Sequence, residues 1–224
     1  TEAPVEEICI EDGRATGVRL ASGERVPADI VISNADLPYT YRELIDGRHR
    51  SSYPDRRLDR MQYACSGYIL YLGVEGVYPH MRHQALYFAE DYRANLDAIF
   101  KTRTLPDEIS FHLNNPTVTD PGLAPEGHSL IYVLAPMPNL QGDVDWDEAA
   151  PLVRDRLLSQ LERLVDPDIR RKIVWEREYR PTDWLRDSNA VYGTAFGSLS
   201  HGFFQSSYFR PHNKARDVAG LYFV

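Results

Sequence analysis

Two glycine turns cut the first 36 residues into three short β-rich runs, and this pattern dictates much of what the chain can become. Val5 to Ile10 alternates apolar and polar residues, and Glu11-Asp12-Gly13 turns into a second run, Ala15 to Leu20. Ala21-Ser22-Gly23 turns again, and Val26 to Ser33 is a third run, nearly all apolar at Ile30-Val31-Ile32. Asp-Gly and Ser-Gly between such runs predict a three-stranded antiparallel meander. Three strands with one apolar face are marginal in water, so the meander must pack on another part of the molecule.

Beyond residue 36 the pattern changes. Pro38 to Ile45 reads as a short helix stopped by Asp46-Gly47, and Arg48 to Arg60 reads as loop with a helical turn. Cys65 to Val74 is a long apolar strand; Ala85 to Phe88, Ile109 to Leu113 and Leu130 to Leu134 are further strand candidates. Asp91 to Lys101 reads as helical, with Leu96, Ile99 and Phe100 as its apolar residues. The strongest helix runs from Asp147 to Val165, with Val153, Leu157, Leu161, Leu164 and Val165 on one face and Pro151 in the first turn. Ile173 to Tyr179 is a strand, Pro181-Thr182-Asp183 starts a helix, and Leu221 to Val224 is a final apolar strand. The sum is an α+β fold: a mixed, largely antiparallel sheet with flanking helices beside the meander.

Composition and motifs exclude more than they assign. Thirty-three acids against 25 Lys+Arg give a net charge of −8, which argues against a nucleic-acid partner needing a basic stripe. The 224 residues hold two cysteines, Cys9 and Cys65, without CxxC spacing, so neither a disulfide framework nor a zinc ribbon is encoded. Asp143-x-Asp145-x-Asp147 resembles the start of a calcium loop, but Glu148 and Arg154 stand where Gly and Glu are required. Those acids suit the N-terminus of the following helix. His80 and His83, with the scattered His112, His128, His201 and His212, lack a converging ligand set, so no metal site is expected. Gly197 to Gly202 misses the Gly-x-Ser-x-Gly register of a nucleophile elbow. There is no GxGxxG and no GxxxxGK[ST]. Asp120 and Glu126 read as turn and capping residues, and no catalytic residue can be named.

Longer strings carry a more specific signal. VEEI…EDGRATGVRLASGERVPADIVISNAD…YRELI, SGYILYLGVEG, HQALYFAEDYRANLDAIF, NNPTVTDPGLAPEGHSLIYVLAPMPNL and PTDWLRDSNAVYGTAFGSLSHGFFQSSYFRPHNKARDVAGLYFV occur in that order. Together they resemble the bacterial-type phytoene desaturases, FAD-dependent carotenoid dehydrogenases related to the amine oxidases. The resemblance spans the whole chain.

The resemblance implies a middle piece of a longer flavoprotein. Both Gly-rich FAD motifs of the family fall outside it, one before Thr1 and one after Val224. Residues 1–36 are then expected to be a meander of the FAD-binding domain, 37–217 a substrate-binding domain, and 218–224 a strand returning to the FAD-binding domain. It also implies desaturation of a long apolar polyene such as phytoene, with FAD carrying the chemistry. The cofactor-binding residues it suggests are Val5, Asn34, Ala35 and Arg210, with Arg210 equally readable as a surface ion-pair partner. FAD is not expected to be held tightly by this chain alone. The lipophilic substrate implies a cytoplasmic protein peripheral to the membrane. Two alternatives stay open: a non-catalytic lipid- or polyene-binding module, and an amine-oxidase- or isomerase-type member of the same superfamily. The strands Tyr68 to Leu72 and Leu86 to Phe88 are candidates for a polyene tunnel wall, with plain core as the more economical reading.

Overall fold

A computed structural model describes residues 2–199 and 202–224. The described chain divides into two compact units: residues 2–64, 185–192 and 196–224 form the first, and residues 65–184 and 193–195 the second.

In the first unit, β1 (Val5–Glu11), β2 (Arg14–Leu20) and β3 (Arg25–Pro27) make the expected meander. The third sequence run is not one strand. It breaks after Pro27, which has no N–H to continue a ladder, and resumes as β4 (Val31–Ser33) in a different sheet. There β4 pairs in parallel with β10 (Leu221–Phe223), Val31 opposite Leu221 and Ser33 opposite Phe223. On its other side β10 is held by residues 213–215: Phe223 N donates to Asn213 O at 2.7 Å, and Ala215 N to Leu221 O at 3.0 Å.

Helix α1 (Leu37–Tyr39) leads into a π turn at Thr40–Leu44, and α2 (Asp55–Leu58) follows. Tyr41, Leu44, Ile45 and Leu58 from this stretch share one buried core with Ile8, Ala15, Val31, Leu221 and Phe223. That shared core is why the compact unit takes in residues 37–64 as well as the meander and the last strand, beyond the boundary expected at 36.

The second unit is a five-stranded antiparallel sheet in the order β6 (Gln84–Tyr87), β7 (Phe111–Asn114), β8 (His128–Met137), β5 (Ser66–Glu75), β9 (Ile173–Tyr179). Strands β5 and β8 pair over ten residues, so β8 is twice the length expected from Leu130 to Leu134. Helix α3 (Tyr92–Asp97) continues as a π turn to Thr102, then α4 (Trp146–Leu164), α5 (Ile169–Lys172) and α6 (Pro181–Ser188) follow. Asp145 caps α4, accepting from Asp147 N at 2.9 Å and Glu148 N at 3.3 Å, so the acids after Asp143 serve the helix start.

Val153, Leu157, Leu158 and Leu161 of α4 bury against Tyr68, Leu70, Leu72, Ile131, Val133 and Phe111 of the sheet. Leu164, assigned to the same face from periodicity, is 36% exposed, while its neighbours Leu161 and Val165 keep contact with the core. A forked ion pair from Arg154 on α4 to Glu176 on β9 reinforces this packing, with Nη2 to Oε2 at 2.7 Å.

Candidate functional site

Each unit presents a feature able to receive a ligand. In the first unit, β4 and β10 run in parallel and their carboxyl ends open into a concavity of about 270 Å³. The residues just past β4 (Asn34, Ala35, Asp36) line one side, and Arg210, His212 and Ser198 line others. The carboxyl ends of parallel strands are where α/β sheets bind ligands, since the chain reverses there and backbone donors turn outward.

Asp36 is the anchored acid of this site. Its carboxylate accepts from Val191 N at 3.1 Å and from Ser198. Burial holds its carboxyl above the usual Asp range, and those hydrogen bonds work in the opposite direction. Nearby in sequence, the Ser33 and Thr40 hydroxyls bond each other at 2.8 Å, tying β4 to the helical turn.

The structure brings Asn34, Ala35 and Arg210 together, although Arg210 lies far from the other two in sequence. Val5 does not line this concavity; it lies in β1 opposite Leu20. Arg210 makes no ion pair among the described residues, so its surface-partner reading finds no carboxylate. Sequence reasoning missed Asp36, Ser198 and His212. The Asn34-Ala35-Asp36 string could have flagged Asp36, but no local signal placed Ser198 beside it. Ser200 and His201 of the near-miss hydrolase motif lie outside the described residues.

A flavin dinucleotide is far larger than about 270 Å³. The Asn34 and Arg210 donors at the parallel strand ends suit one portion of such a cofactor, and this concavity cannot enclose all of it.

In the second unit one face of the sheet is core, and the other sets apolar and aromatic residues among polar ones. The face toward α4 is core, built from the even positions Tyr68 to Val74 of β5 and the odd positions Ile131 to Met137 of β8. An antiparallel sheet whose other face meets water alternates apolar with polar residues. Here the other face carries Leu86, His112, Leu134, Ile69 and Tyr179 in one row across all five strands. The next row is Gln84, Asn114, Tyr132, Tyr71 and Arg177, and a third places Leu130, Gly73 and Trp175 in line. Four inter-strand steps make this face about 19 Å across.

Leu86 and Trp175 are 64% and 52% exposed, while Tyr71, Tyr132 and Leu134 are half-buried. The Tyr71 and Tyr132 rings meet at 5.3 Å. The candidate tunnel-wall strands therefore divide by parity: Tyr68, Leu70 and Leu72 are core, while Ile69, Tyr71 and Leu86 belong to the second face.

The remaining motif histidines have ordinary partners. His80 Nε2 lies 3.3 Å from Val165 O, and His83 Nδ1 lies 2.7 Å from Thr119 Oγ1. Asp120 accepts from Gly122 N at 3.0 Å, the turn role expected of it.

No family model matches the chain. Among curated proteins, a zeta-carotene-forming phytoene desaturase of Myxococcus xanthus is 42% identical over 223 residues, covering 99% of this chain and 42% of that protein. A lycopene-forming phytoene desaturase of Pseudescherichia vulneris is 38% identical, covering 99% of this chain and 45% of that protein. By sequence, the chain is a relative of the phytoene desaturases. It spans less than half the length of the relatives it matches.

Among solved structures, an oxidoreductase from Methanosarcina mazei aligns over 99% of the chain and 43% of its own, with a TM-score of 0.58 at 18% identity. Reduced UDP-galactopyranose mutase aligns over 78% of the chain and 33% of its own, with a TM-score of 0.53 at 20% identity. These two likenesses speak to fold, and they agree with an α+β arrangement of largely antiparallel sheets.

Proposed function

We propose that this chain is the substrate-facing part of an FAD-dependent desaturase that introduces C=C bonds into a long apolar polyene such as phytoene. One observation carries the reading on the structural side: the second face of the five-stranded sheet presents Leu86, Leu134, Tyr132, Tyr71, Leu130 and Trp175 where solvent would select polar residues. The leucine and aromatic side chains of that face offer dispersion contacts that suit a hydrocarbon ligand, with Gln84, His112, Asn114 and Arg177 set among them. The names of the curated relatives supply the substrate class.

Bound FAD would accept the hydride equivalent removed from the polyene. This chain's contribution is to orient and to exclude water. That sheet face holds the polyene. Asn34, Ala35 and Arg210 at the ends of β4 and β10 meet one portion of the cofactor.

The test is quenching of tryptophan fluorescence, since Trp175 lies on the open face. Adding a conjugated polyene in detergent should quench emission saturably relative to detergent alone. Leu86→Glu should weaken that quenching about tenfold or more, by setting a charge on the face. Linear, unsaturable quenching unaffected by Leu86→Glu would overturn the reading. In a parallel titration, FAD added in excess and then desalted should leave no flavin absorbance on this chain; stoichiometric retention would show a more complete cofactor site than the one described.

A further inference from the structure

On the face of the sheet turned away from α4, strand β5 carries Gly67, Ile69, Tyr71, Gly73 and Glu75, in alternation with the core residues Tyr68, Leu70, Leu72 and Val74. Burial falls off along that series. Gly67 and Ile69 are buried, Tyr71 and Gly73 half-buried, and Glu75 exposed. The closed end has a plain cause. A Cβ on Gly67 would meet Ala195 Cβ at 3.4 Å and Leu134 Cδ1 at 3.6 Å, and the Trp184 indole donates to Gly67 O at 2.9 Å. Gly67 is a packing glycine, covered by other parts of the second unit.

Gly73 is different. It lies in the interior of a ten-residue strand, where glycine weakens the strand through its backbone entropy and its lack of a side chain. Its φ is outside the left-handed region, so the backbone does not require glycine there. The neighbouring irregularity places its extra residue, Val174, on β9 and not on β5: Gly73 stands opposite Trp175, and Val74 opposite Ile173. Packing does not require glycine either. The three atoms nearest to a Cβ built on Gly73 are Trp175 Cβ at 3.3 Å and Trp175 N and O at 3.9 Å, so the indole ring does not fill the space. Trp175 is on an edge strand and 52% exposed, and is free to give way by the small amount a methyl group would ask.

The surroundings of this notch are apolar. Leu130 of β8 and Trp175 of β9 flank it in one row, about 9–10 Å apart across two inter-strand steps. Tyr71 stands two residues back on β5, its ring 5.3 Å from that of Tyr132. A glycine inside a strand that neither the backbone nor its neighbours demand marks a place where a ligand comes close to the main chain.

We propose that Gly73 is a specificity-determining residue of this face: the polyene seats in the notch between Leu130 and Trp175, against the backbone of β5. The inference deepens the proposed function and rests on it. Dispersion attraction falls steeply with distance, so a floor lowered by one side chain lets the hydrocarbon touch the floor, Leu130 and Trp175 together. A side chain at position 73 would lift the hydrocarbon off the floor and forfeit those contacts.

The experiment is binding of a conjugated polyene in detergent to the 224-residue chain, read in two ways. One is quenching of tryptophan emission. The other is the polyene's own visible absorbance carried by the chain through gel filtration, which does not depend on where Trp175 sits. Gly73→Ala should weaken binding about threefold and Gly73→Leu about tenfold or more. Gly73→Ala should also leave the thermal midpoint unchanged or raise it, since alanine suits a strand interior better than glycine. Leu152→Phe, which adds bulk at an exposed position of α4, should change neither.

Weaker binding without weaker folding is a result that a merely structural glycine would not give. Wild-type affinity in both Gly73 variants, with binding still weakened by Leu86→Glu, would overturn this inference and leave the proposed function standing. A lower midpoint in Gly73→Ala with binding retained would do the same, by making Gly73 a packing residue. An equal loss from Leu152→Phe would also overturn it. Absence of saturable binding by the unsubstituted chain would overturn the reading of the face, and this inference with it. Circular dichroism checks the fold of each variant, and if Gly73→Leu does not fold, Gly73→Ala decides.

Discussion

The antiparallel sheet of the second unit and the parallel β4–β10 pair of the first realise their strand pairing in different ways. In the sheet, β5 pairs with β8 over ten residues and its inner face is sealed by α4. The parallel pair has only three residues per strand. Its inner positions Val31, Ser33, Leu221 and Phe223 are buried, yet Ile30 and Ile32 are 57% and 62% exposed. Parallel strands are ordinarily covered on both faces, because the crossovers that join them bring helices to each side. The stability of the second unit thus resides in its own core, whereas the first unit holds its ligand-facing end on a pair only half covered.

Substitutions can break that contrast. The largest effect is expected at Leu157, fully buried between α4 and the sheet. Leu157→Ala should lower unfolding free energy by about 2–5 kcal/mol in urea titrations. Ile32→Ala, on the bare face of β4, should change it by no more than about 0.5 kcal/mol. A comparable loss at both sites would mean that the face of β4 is covered in solution.

Gly17 is the next most sensitive position. It has φ of +143°, and a methyl group there would overlap the Val26 carbonyl oxygen across the β2–β3 ladder. Gly17→Ala should cost about 1–3 kcal/mol, while Gly13→Ala, also at positive φ but with open space around it, should cost less.

Acid titration sharpens the comparison further, because the two units carry carboxyls shifted in opposite directions. Asp36 in the first unit is raised by burial, so the stability it contributes is present at low pH and lost as pH rises through its folded value. Asp166 in the second unit is lowered by the Lys172 ammonium and by the Asp168 amide, so its contribution is present above the ordinary Asp range and lost as pH falls. Asp36→Asn should therefore reduce the loss of stability on going from pH 3.5 to 6, and Asp166→Asn should reduce the gain over the acidic side of that range. Thermal melts at the two pH values read both effects, and the same sign for both variants would contradict the assigned environments.

Thiol labelling gives the smallest perturbation. Cys65 is buried, and burial pushes its thiol up to about 12, whereas Cys9 on β1 is part-exposed. At pH 8 iodoacetamide should modify Cys9 first and reach Cys65 only on unfolding. Simultaneous labelling would show that the start of β5 opens without global unfolding.

Sequence determined a good part of this protein on its own. Local periodicity marks α4 and the strands β1, β2, β5 and β9, since a 3.6-residue or 2-residue repeat is a property of neighbouring positions. Asp145 as a helix cap and Asp120 as a turn residue follow from side chains bonding amides two or three positions away. The family resemblance was also present in the order of its strings, and the curated relatives bear it out along the whole chain.

The tertiary structure decided what distance in sequence concealed. It split the run from Val26 to Ser33 between two sheets, and it paired β4 in parallel with a strand from the far end of the chain. It set Asp36, Ser198 and Arg210 around one concavity. It also separated Tyr68 from Tyr71 into core and open face, a matter of which side of β5 the helix α4 covers. None of these pairings has a local signature. Each is selected by the free energy of burying apolar surface and satisfying backbone hydrogen bonds across the whole unit, which no window of neighbouring residues contains.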